Sequence, residues 1–565
     1  MARSMSRLFL WLIPALTPLT EATADGPVYD VLIRGGRIVD GTGNPWTRGS
    51  LAILGDRIAA VGHVADHVLA RRVIDARGLV VAPGFIDIHS HSDWALFEDG
   101  GAASKVRQGV TTEVLGEDRS GGPNRGKIAP RSVIMKGRVV EIATIDDYLT
   151  ALQWSGIATN VATYVGLGNV WGGAMGDSFD RPSPRQFEEM KAILDSALRD
   201  GAFGLSTMLA APQEMVATTD DLVELCRVVA RHGGLFSSHI RNEGEGVIEA
   251  IREAIAVGER GGVPVDIIHL KIADEALWGR MGEVVALIEA ARARGVDVQA
   301  NVYPYTRGNN DLASILPPWA HEGGREALLA RLGDVTQRER MRREIRSGLP
   351  GWYNHYRAVG GDWSRMLLSA DLGPKNERLE GLTMDAILAR RAEGRSPAPE
   401  PLDAMFDFLL EEGGSIPTIF AHHTEADMTL ALRQPWCSVG SDGTALATEG
   451  PLRRGHPHPR SFGTFPRVLG VYVREQHLLT LEEAVRKMTS SNAAKLGLRD
   501  RGTLRPGASA DVTVFDPARV IDRATYEEPF RYGEGIEYVL VNGRPVIDRG
   551  LPTGERPGRA LRRGR

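Results

Sequence analysis

Histidines and carboxylates close several apolar runs of this chain. The sharpest case is Ala82-Pro83-Gly84-Phe85-Ile86-Asp87-Ile88-His89-Ser90-His91. Strand side chains alternate between faces, so residues two apart point the same way. His89 and His91 therefore aim two imidazoles at one point, and imidazole is the commonest metal-binding side chain. The bland reading of the pair is two polar strand-end residues that sit close, so matching ligands must appear elsewhere. Leu235-Phe236-Ser237-Ser238-His239, Val265-Asp266-Ile267-Ile268-His269-Leu270-Lys271 and Ser438-Val439-Gly440-Ser441-Asp442 end in the same way. Thr112-Glu113-Val114-Leu115-Gly116-Glu117-Asp118 ends in two carboxylates. A lone strand-end histidine is more often structural than a ligand. Four histidines with several carboxylates, all closing parallel strands, point to a metal centre.

Such a centre needs a scaffold that gathers strand ends. The middle of the chain alternates strands with amphipathic helices, the pattern of a parallel α/β unit. Candidate strands end at His91, Glu117, Gly166, Thr207, His239, Lys271, Tyr305 and Asp442. Eight such units close a (β/α)8 barrel, which carries its catalytic groups at the C-terminal strand ends. Over residues 281–294, Val284, Val285, Leu287, Ile288 and Ala291 recur at helical spacing before Gly295. A further strand-like run, Thr418-Ile419-Phe420-Ala421-His422-His423, leaves the strand count open. Residues about 307–415 break the alternation and read as an insertion and candidate lid, the charge run 338–344 being a solvated helix face. Both ends are β-rich, so residues 28–82 and 500–555 are expected to form one small β-sandwich beside a barrel over 83–490. Residues 556–565 read as a frayed basic tail.

The chain has 565 residues, 42% hydrophobic and 25% charged, ordinary for a soluble globular protein. A net charge of −5 gives no electrostatic case for nucleic acid. Two cysteines, Cys226 and Cys437, exclude a disulfide framework and a Cys-rich zinc module and read as separate buried thiols. Arg3 and Arg7 precede an apolar run that ends near Ala22-Thr23-Ala24, the layout of a signal peptide over residues 1–24. The expectation is an exported protein, secreted or periplasmic, with no membrane association after cleavage. Oligomeric state is not legible.

With these motifs in view the sequence resembles the amidohydrolase superfamily, and within it the D-aminoacylase (N-acyl-D-amino-acid deacylase) family. The carriers are Pro83 to His91, Gly109-Val110-Thr111-Thr112, Gly201-Ala202-Phe203-Gly204-Leu205-Ser206-Thr207, Ser238-His239-Ile240-Arg241-Asn242-Glu243 and His269-Leu270-Lys271. Tyr303-Pro304-Tyr305, Gly440-Ser441-Asp442-Gly443, His458-Pro459-Arg460 and Gly463-Thr464-Phe465-Pro466-Arg467 complete them. The resemblance implies a metal-dependent (β/α)8 barrel with a small β-sandwich from both termini. It makes His89, His91, His239 and His269 metal ligands, zinc being the usual metal, with one or two ions. Asp442 becomes the catalytic carboxylate and a ligand, and Lys271 and Arg460 hold a substrate carboxylate. Tyr303, in preference to Tyr305, becomes the donor to the carbonyl oxygen.

Two departures stand out. The family places a cysteine ligand shortly after Gly-Val-Thr-Thr, where this chain has Gly116-Glu117-Asp118. A gap-free reading puts Asp118 there, while relatives with Gly-Glu-Gly suggest Glu117, which we prefer. A carboxylate is a harder ligand than a thiolate and admits manganese or cobalt beside zinc. Met208-Leu209-Ala210-Ala211 replaces the family's Gly-Leu and an aromatic, so the substrate can differ from the usual one. The implied reaction is hydrolysis of an N-acyl-D-amino acid to a carboxylate and a D-amino acid, on a small molecule or short peptide. A cyclic-amide hydrolase of the dihydroorotase or hydantoinase kind, a D-residue peptidase and a non-catalytic binding protein are the alternatives. The first usually bridges two metals with a carboxylated lysine, for which no placed candidate is visible. His458 reads as positioning a loop, and His422 and His423 as strand-end hydrogen-bonding groups.

Overall fold

The computed structural model describes residues 28–65 and 67–564. The expected signal segment, residues 1–24, lies outside the described residues. Among the described residues no helix is long and apolar enough to cross a membrane.

The two ends of the chain meet in one nine-stranded sheet. Val512–Phe515 runs antiparallel to Val80–Pro83, with Val512 opposite Pro83 and Phe515 opposite Val80, and this pairing joins the halves. Tyr29–Ile38, Thr47–Leu54 and Arg57–Gly62 extend the sheet on one side, and Ile536–Val541 and Arg544–Asp548 on the other. Period-two patterning divides their side chains between two cores. Val31, Ile33, Leu51, Ile53, Val81, Val512 and Val514 fill a core shared by strands from both ends. Val80, Ala82, Phe515, Val539 and Val541 point the other way and join the main core of the molecule.

That main core belongs to a parallel α/β unit. Phe85–Asp87, Val110–Leu115 and Asn160–Thr163 are parallel neighbours. Val165–Gly166, Gly204–Met208, Leu235–His239, Val265–Ile267, Val298–Val302 and Cys437–Val439 follow in a six-stranded parallel sheet. Only Tyr164 separates the two sheets along the chain. The last strand returns to the first: Ser90 bridges Gly443 in parallel, and the Asp442 N–H donates to the His89 carbonyl at 2.8 Å. Every strand end named from the sequence lies on one of these strands or just beyond it. Between them run capped, one-sided helices. In Thr219–Arg231, Thr218 and Asp221 form a capping box while Leu222, Leu225, Cys226 and Val229 are buried, the cap being worth about 1 kcal/mol. Met281–Ala293 matches the helix expected there. Cys226 and Cys437 are separate, free and buried.

The insertion is pinned at its own neck. Gly308–Asp311 pairs antiparallel with Pro417–Phe420, Gly308 opposite Phe420, and Met366–Leu368 flanks the other side. The strand-like run at 418 therefore belongs to the insertion, not to the parallel unit. A separate core of Leu312, Ile315, Leu332, Met341, Phe406 and Phe420 supports it. The charge run lies on the helix Val335–Ser347 and is not merely solvated: Arg338 reaches Asp407 at 2.8 Å and Arg342 reaches Asp403 at 2.5 Å.

The basic end corrects another expectation. Residues 556–563 are docked, not frayed. Gly558 N–H donates to Ile157 O at 2.8 Å, Leu561 N–H to Val161 O at 2.7 Å and Arg563 N–H to Gly201 O at 2.9 Å. These partners stand at or before the N-terminal ends of parallel strands, opposite the histidines. Carbonyl groups left open there accept from the tail, so its arginines are ordered by hydrogen bonds that composition does not reveal.

Candidate metal centre

Lys105 ties the first and last parallel strands together where the site begins. It is completely buried, and its Nζ donates to Asp87 Oδ2 at 2.8 Å, Ser441 Oγ at 2.8 Å and Gly443 O at 2.7 Å. Asp87 Oδ1 accepts from the Ser441 N–H at 2.7 Å and the His89 N–H at 3.4 Å. A buried ion pair persists only when its remaining hydrogen-bonding capacity is met, as it is here. The network fixes the backbone from which His89, His91 and Asp442 project. Asp442 and His269 adopt left-handed backbone conformations, with φ of 52° and 39°. Such non-glycine residues cost about 1–3 kcal/mol each and cluster where surrounding contacts enforce them for function.

Glu117 stands between two groups of ligand atoms. Its Oε2 contacts His89 Nε2 closely and lies 3.1 Å from His91 Nε2, while His91 Nε2 is 3.0 Å from Asp442 Oδ1. Its Oε1 lies 3.2 Å from His239 Nδ1 and 3.6 Å from His269 Nε2. The donor atoms of His89, His91, Glu117 and Asp442 all fall within 4.8 Å of one another, as do those of Glu117, His239 and His269. Burial favours the uncharged carboxyl of Glu117, but His89, His239 and His269 hold it well below the usual carboxylate range. Asp442 is likewise held low against its burial, chiefly by Arg460 and His89. Burial lowers His89, whereas His91, the half-exposed member, is raised to about 10 by hydrogen bonds to Asp442 and Glu117 that outweigh its desolvation. His89 Nδ1 and His239 Nε2 are buried without a partner. Imidazole nitrogens and carboxylate oxygens packed this closely form a donor set suited to a divalent cation.

Asp118, the alternative ligand, lines the same cavity but stands outside both ligand groups. Its φ is 55°, two residues after Gly116 at φ 97°, and the neighbouring Glu214 accepts the Met208 N–H at 2.7 Å. Burial raises Asp118.

The remaining candidates flank the cluster. Arg460 NH1 donates to Asp442 Oδ2 at 2.6 Å. Lys271 Nζ donates to Glu243 Oε1 at 2.5 Å and to His269 O at 3.1 Å, and lies 2.9 Å from His269 Nδ1. The Tyr303 hydroxyl is buried without a partner, under the Arg460 guanidinium at 4.7 Å from its ring. Tyr305 instead donates to Asp522 at 3.3 Å. His458 accepts the Arg460 N–H at 3.0 Å and sits 2.9 Å from Arg307 O, a loop-holding geometry. A cavity of about 750 Å³ opens over the cluster and runs to Asn309, His355 and His422 of the insertion, with Met208 on its wall.

Sequence reasoning gave no role to Glu243 or Lys105. Glu243 is 3.2 Å from His269 Nδ1 and 3.9 Å from His239 Nε2, and orients the ring whose other nitrogen faces Glu117. Its signal was present, a carboxylate four residues beyond a strand-end histidine. Lys105 carries no local signal, because its partners are distant in sequence.

Comparison with known proteins identifies the family. The sequence model of the amidohydrolase family matches residues 72–314 and 421–547. The chain belongs to the amidohydrolase family. This amidohydrolase is 37% identical over 537 residues to the N-acyl-D-glutamate deacylase of Alcaligenes xylosoxydans xylosoxydans, covering 94% of this chain and 96% of that one. It is 34% identical over 546 residues to the D-aminoacylase of the same organism, covering 96% and 99%. Among solved structures it resembles the N-acyl-D-glutamate deacylase of Bordetella bronchiseptica, complexed with zinc and a phosphonate mimic of the tetrahedral intermediate. That match has a TM-score of 0.77 at 33% identity and covers 95% of this chain and 100% of that one.

Proposed function

We propose that this amidohydrolase hydrolyses N-acyl-D-amino acids, free or at the end of a short peptide, to a carboxylate and a D-amino acid. The observation that carries the reading is the placement of Glu117, one carboxylate whose two oxygens face two adjoining ligand groups. His89, His91, Glu117 and Asp442 would hold one cation, and Glu117, His239 and His269 a second. Zinc suits the set best, and the carboxylate in place of a thiolate also admits manganese or cobalt. A carboxylate, not a modified lysine, occupies the shared position, which favours linear over cyclic amides. The parallel strands are read as a (β/α)8 barrel over 83–490, and the terminal sheet as a β-sandwich over 28–82 and 500–555.

A bound cation supplies Lewis acidity, acidifying water and polarising the amide carbonyl. Asp442 takes the proton from the attacking water and delivers it to the leaving nitrogen. Tyr303, with a buried hydroxyl free to donate, bonds the carbonyl oxygen as negative charge develops. Arg460 directs one N–H to Asp442 and forks its other donors onto the substrate carboxylate. Lys271, paired with Glu243, lends positive charge beside that carboxylate and holds the His269 backbone through its carbonyl.

The test joins metal analysis to a screen of N-acetyl-D- and N-acetyl-L-amino acids. Asp442→Asn should lose about 10²–10⁴-fold in kcat while retaining metal. Metal-loaded wild type that turns over no D-substrate overturns the reading, and near-normal turnover by Asp442→Asn overturns the base. Export through the leader is part of the proposal. Mature protein from the producing cells that still begins at Met1 refutes it.

A further inference from the structure

His422 leaves the insertion strand Pro417–Phe420 and enters the cavity beside Tyr303. Its Nδ1 lies 3.0 Å from His423 Nδ1, and His423 Nε2 lies 2.9 Å from the Tyr305 carbonyl oxygen. A carbonyl only accepts, so His423 donates through Nε2. Burial keeps both imidazoles neutral. His423 therefore carries its one proton on Nε2 and accepts at Nδ1, and His422 donates from Nδ1. This relay leaves His422 Nε2 as a bare lone pair. Trp278 Nε1 donates to the His422 backbone carbonyl at 3.1 Å, and the Phe420 ring lies parallel to the imidazole, planes 6° apart and centroids 6.4 Å apart.

The lone pair faces usable space. Gly308 lies against it without a side chain, and a Cβ there would stand 2.8 Å from His422 Nε2 and 3.5 Å from the Tyr303 hydroxyl. Both His422 and Gly308 line the cavity. The two buried cations nearby, Lys271 paired with Glu243 and Arg460 with Asp442, serve the substrate's own α-carboxylate in the reading above, which leaves neither for a second carboxylate at this wall.

We propose that His422 Nε2 is a specificity-determining acceptor, selecting substrates that bring an uncharged N–H or O–H donor to this wall over isosteric substrates that bring a carboxylate. A carboxylate has no hydrogen to give and would set its lone pairs against that of Nε2 away from water. This rests on the deacylase reading above and extends it to substrate class. The donor belongs either to the amino-acid side chain or to the acyl group.

Zinc-loaded full-length enzyme is assayed on two matched pairs: N-acetyl-D-glutamine against N-acetyl-D-glutamate, and N-malonamoyl-D-methionine against N-malonyl-D-methionine. Wild type should favour the donor member of one pair by at least about tenfold in kcat/KM, mainly through KM. The pair that responds identifies the source of the donor. His422→Phe should bring that ratio to within about twofold, and His422→Gln, which can present its carbonyl oxygen, should retain part of it. A wild-type ratio below about twofold in both pairs, or a preference that survives His422→Phe, overturns the proposal. If His422→Phe does not fold, the wild-type ratios and His422→Gln decide it. Turnover without discrimination counts against His422 alone. No turnover of any of the four substrates counts against the deacylase reading and removes this one with it.

Discussion

Glu243→Gln isolates a charge that never has to touch substrate. Glu243 is 4% exposed and lies 2.5 Å from Lys271 Nζ and 3.2 Å from His269 Nδ1. Removing one partner of a buried pair costs about 3–5 kcal/mol. Glutamine keeps an acceptor of the same shape, which returns about 1 kcal/mol. The expected loss is about 2–4 kcal/mol in urea unfolding at neutral pH. Because Glu243 orients His269, zinc affinity measured by chelator competition should fall about 10–100-fold. The sign with pH follows from Lys271, which holds the Glu243 carboxyl well below its ordinary value of 4.5 against the opposing effect of burial. A depressed acid stabilises the fold fully above its unfolded value and loses that contribution as pH falls through the folded one. The gap between wild type and Glu243→Gln should therefore be constant from neutral pH down to about 4.5 and close below it. Unfolding midpoints that coincide at neutral pH, with zinc affinity unchanged, would refute the reasoning.

Lys105→Met should destabilise the protein by about 3–5 kcal/mol, because Asp87 is left charged and buried without its cation. Zinc affinity should fall with it, and a loss under about 1 kcal/mol in urea would show that the network does not hold the site. Deleting residues 556–565 removes the backbone bonds at Ile157, Val161 and Gly201. At about 1 kcal/mol each these predict a loss of several kcal/mol, so a thermal midpoint within about 1 °C of wild type would contradict the docking.

The parallel strands and their polar ends were legible because the strands are short and largely apolar, and the candidate ligands sit at or within a few residues of their C-terminal ends. Glu117 and Asp118 were not separable by spacing. Gly116 and Asp118 both take positive φ, so the strand's alternation stops before it reaches them. Thr418 to Phe420 looked like one more parallel strand because its side chains are buried, yet its partners are antiparallel strands within the insertion. Glu243 and Lys105 escaped because what marks them is charge compensation across long sequence separations, such as the 336 residues from Lys105 to Ser441. The tail was misread for a related reason. Arginine-rich composition suggests solvation, and only the tertiary fold reveals the carbonyls that receive it.

Residues 556–563 take their backbone partners from Ile157, Val161 and Gly201, which stand at or ahead of two different parallel strands. The docked segment is therefore a clamp across the face of the parallel unit that lies opposite the histidines. Splaying those strands apart there first requires the clamp to lift, so movement at the ligand-bearing ends is hinged on a face that stays closed.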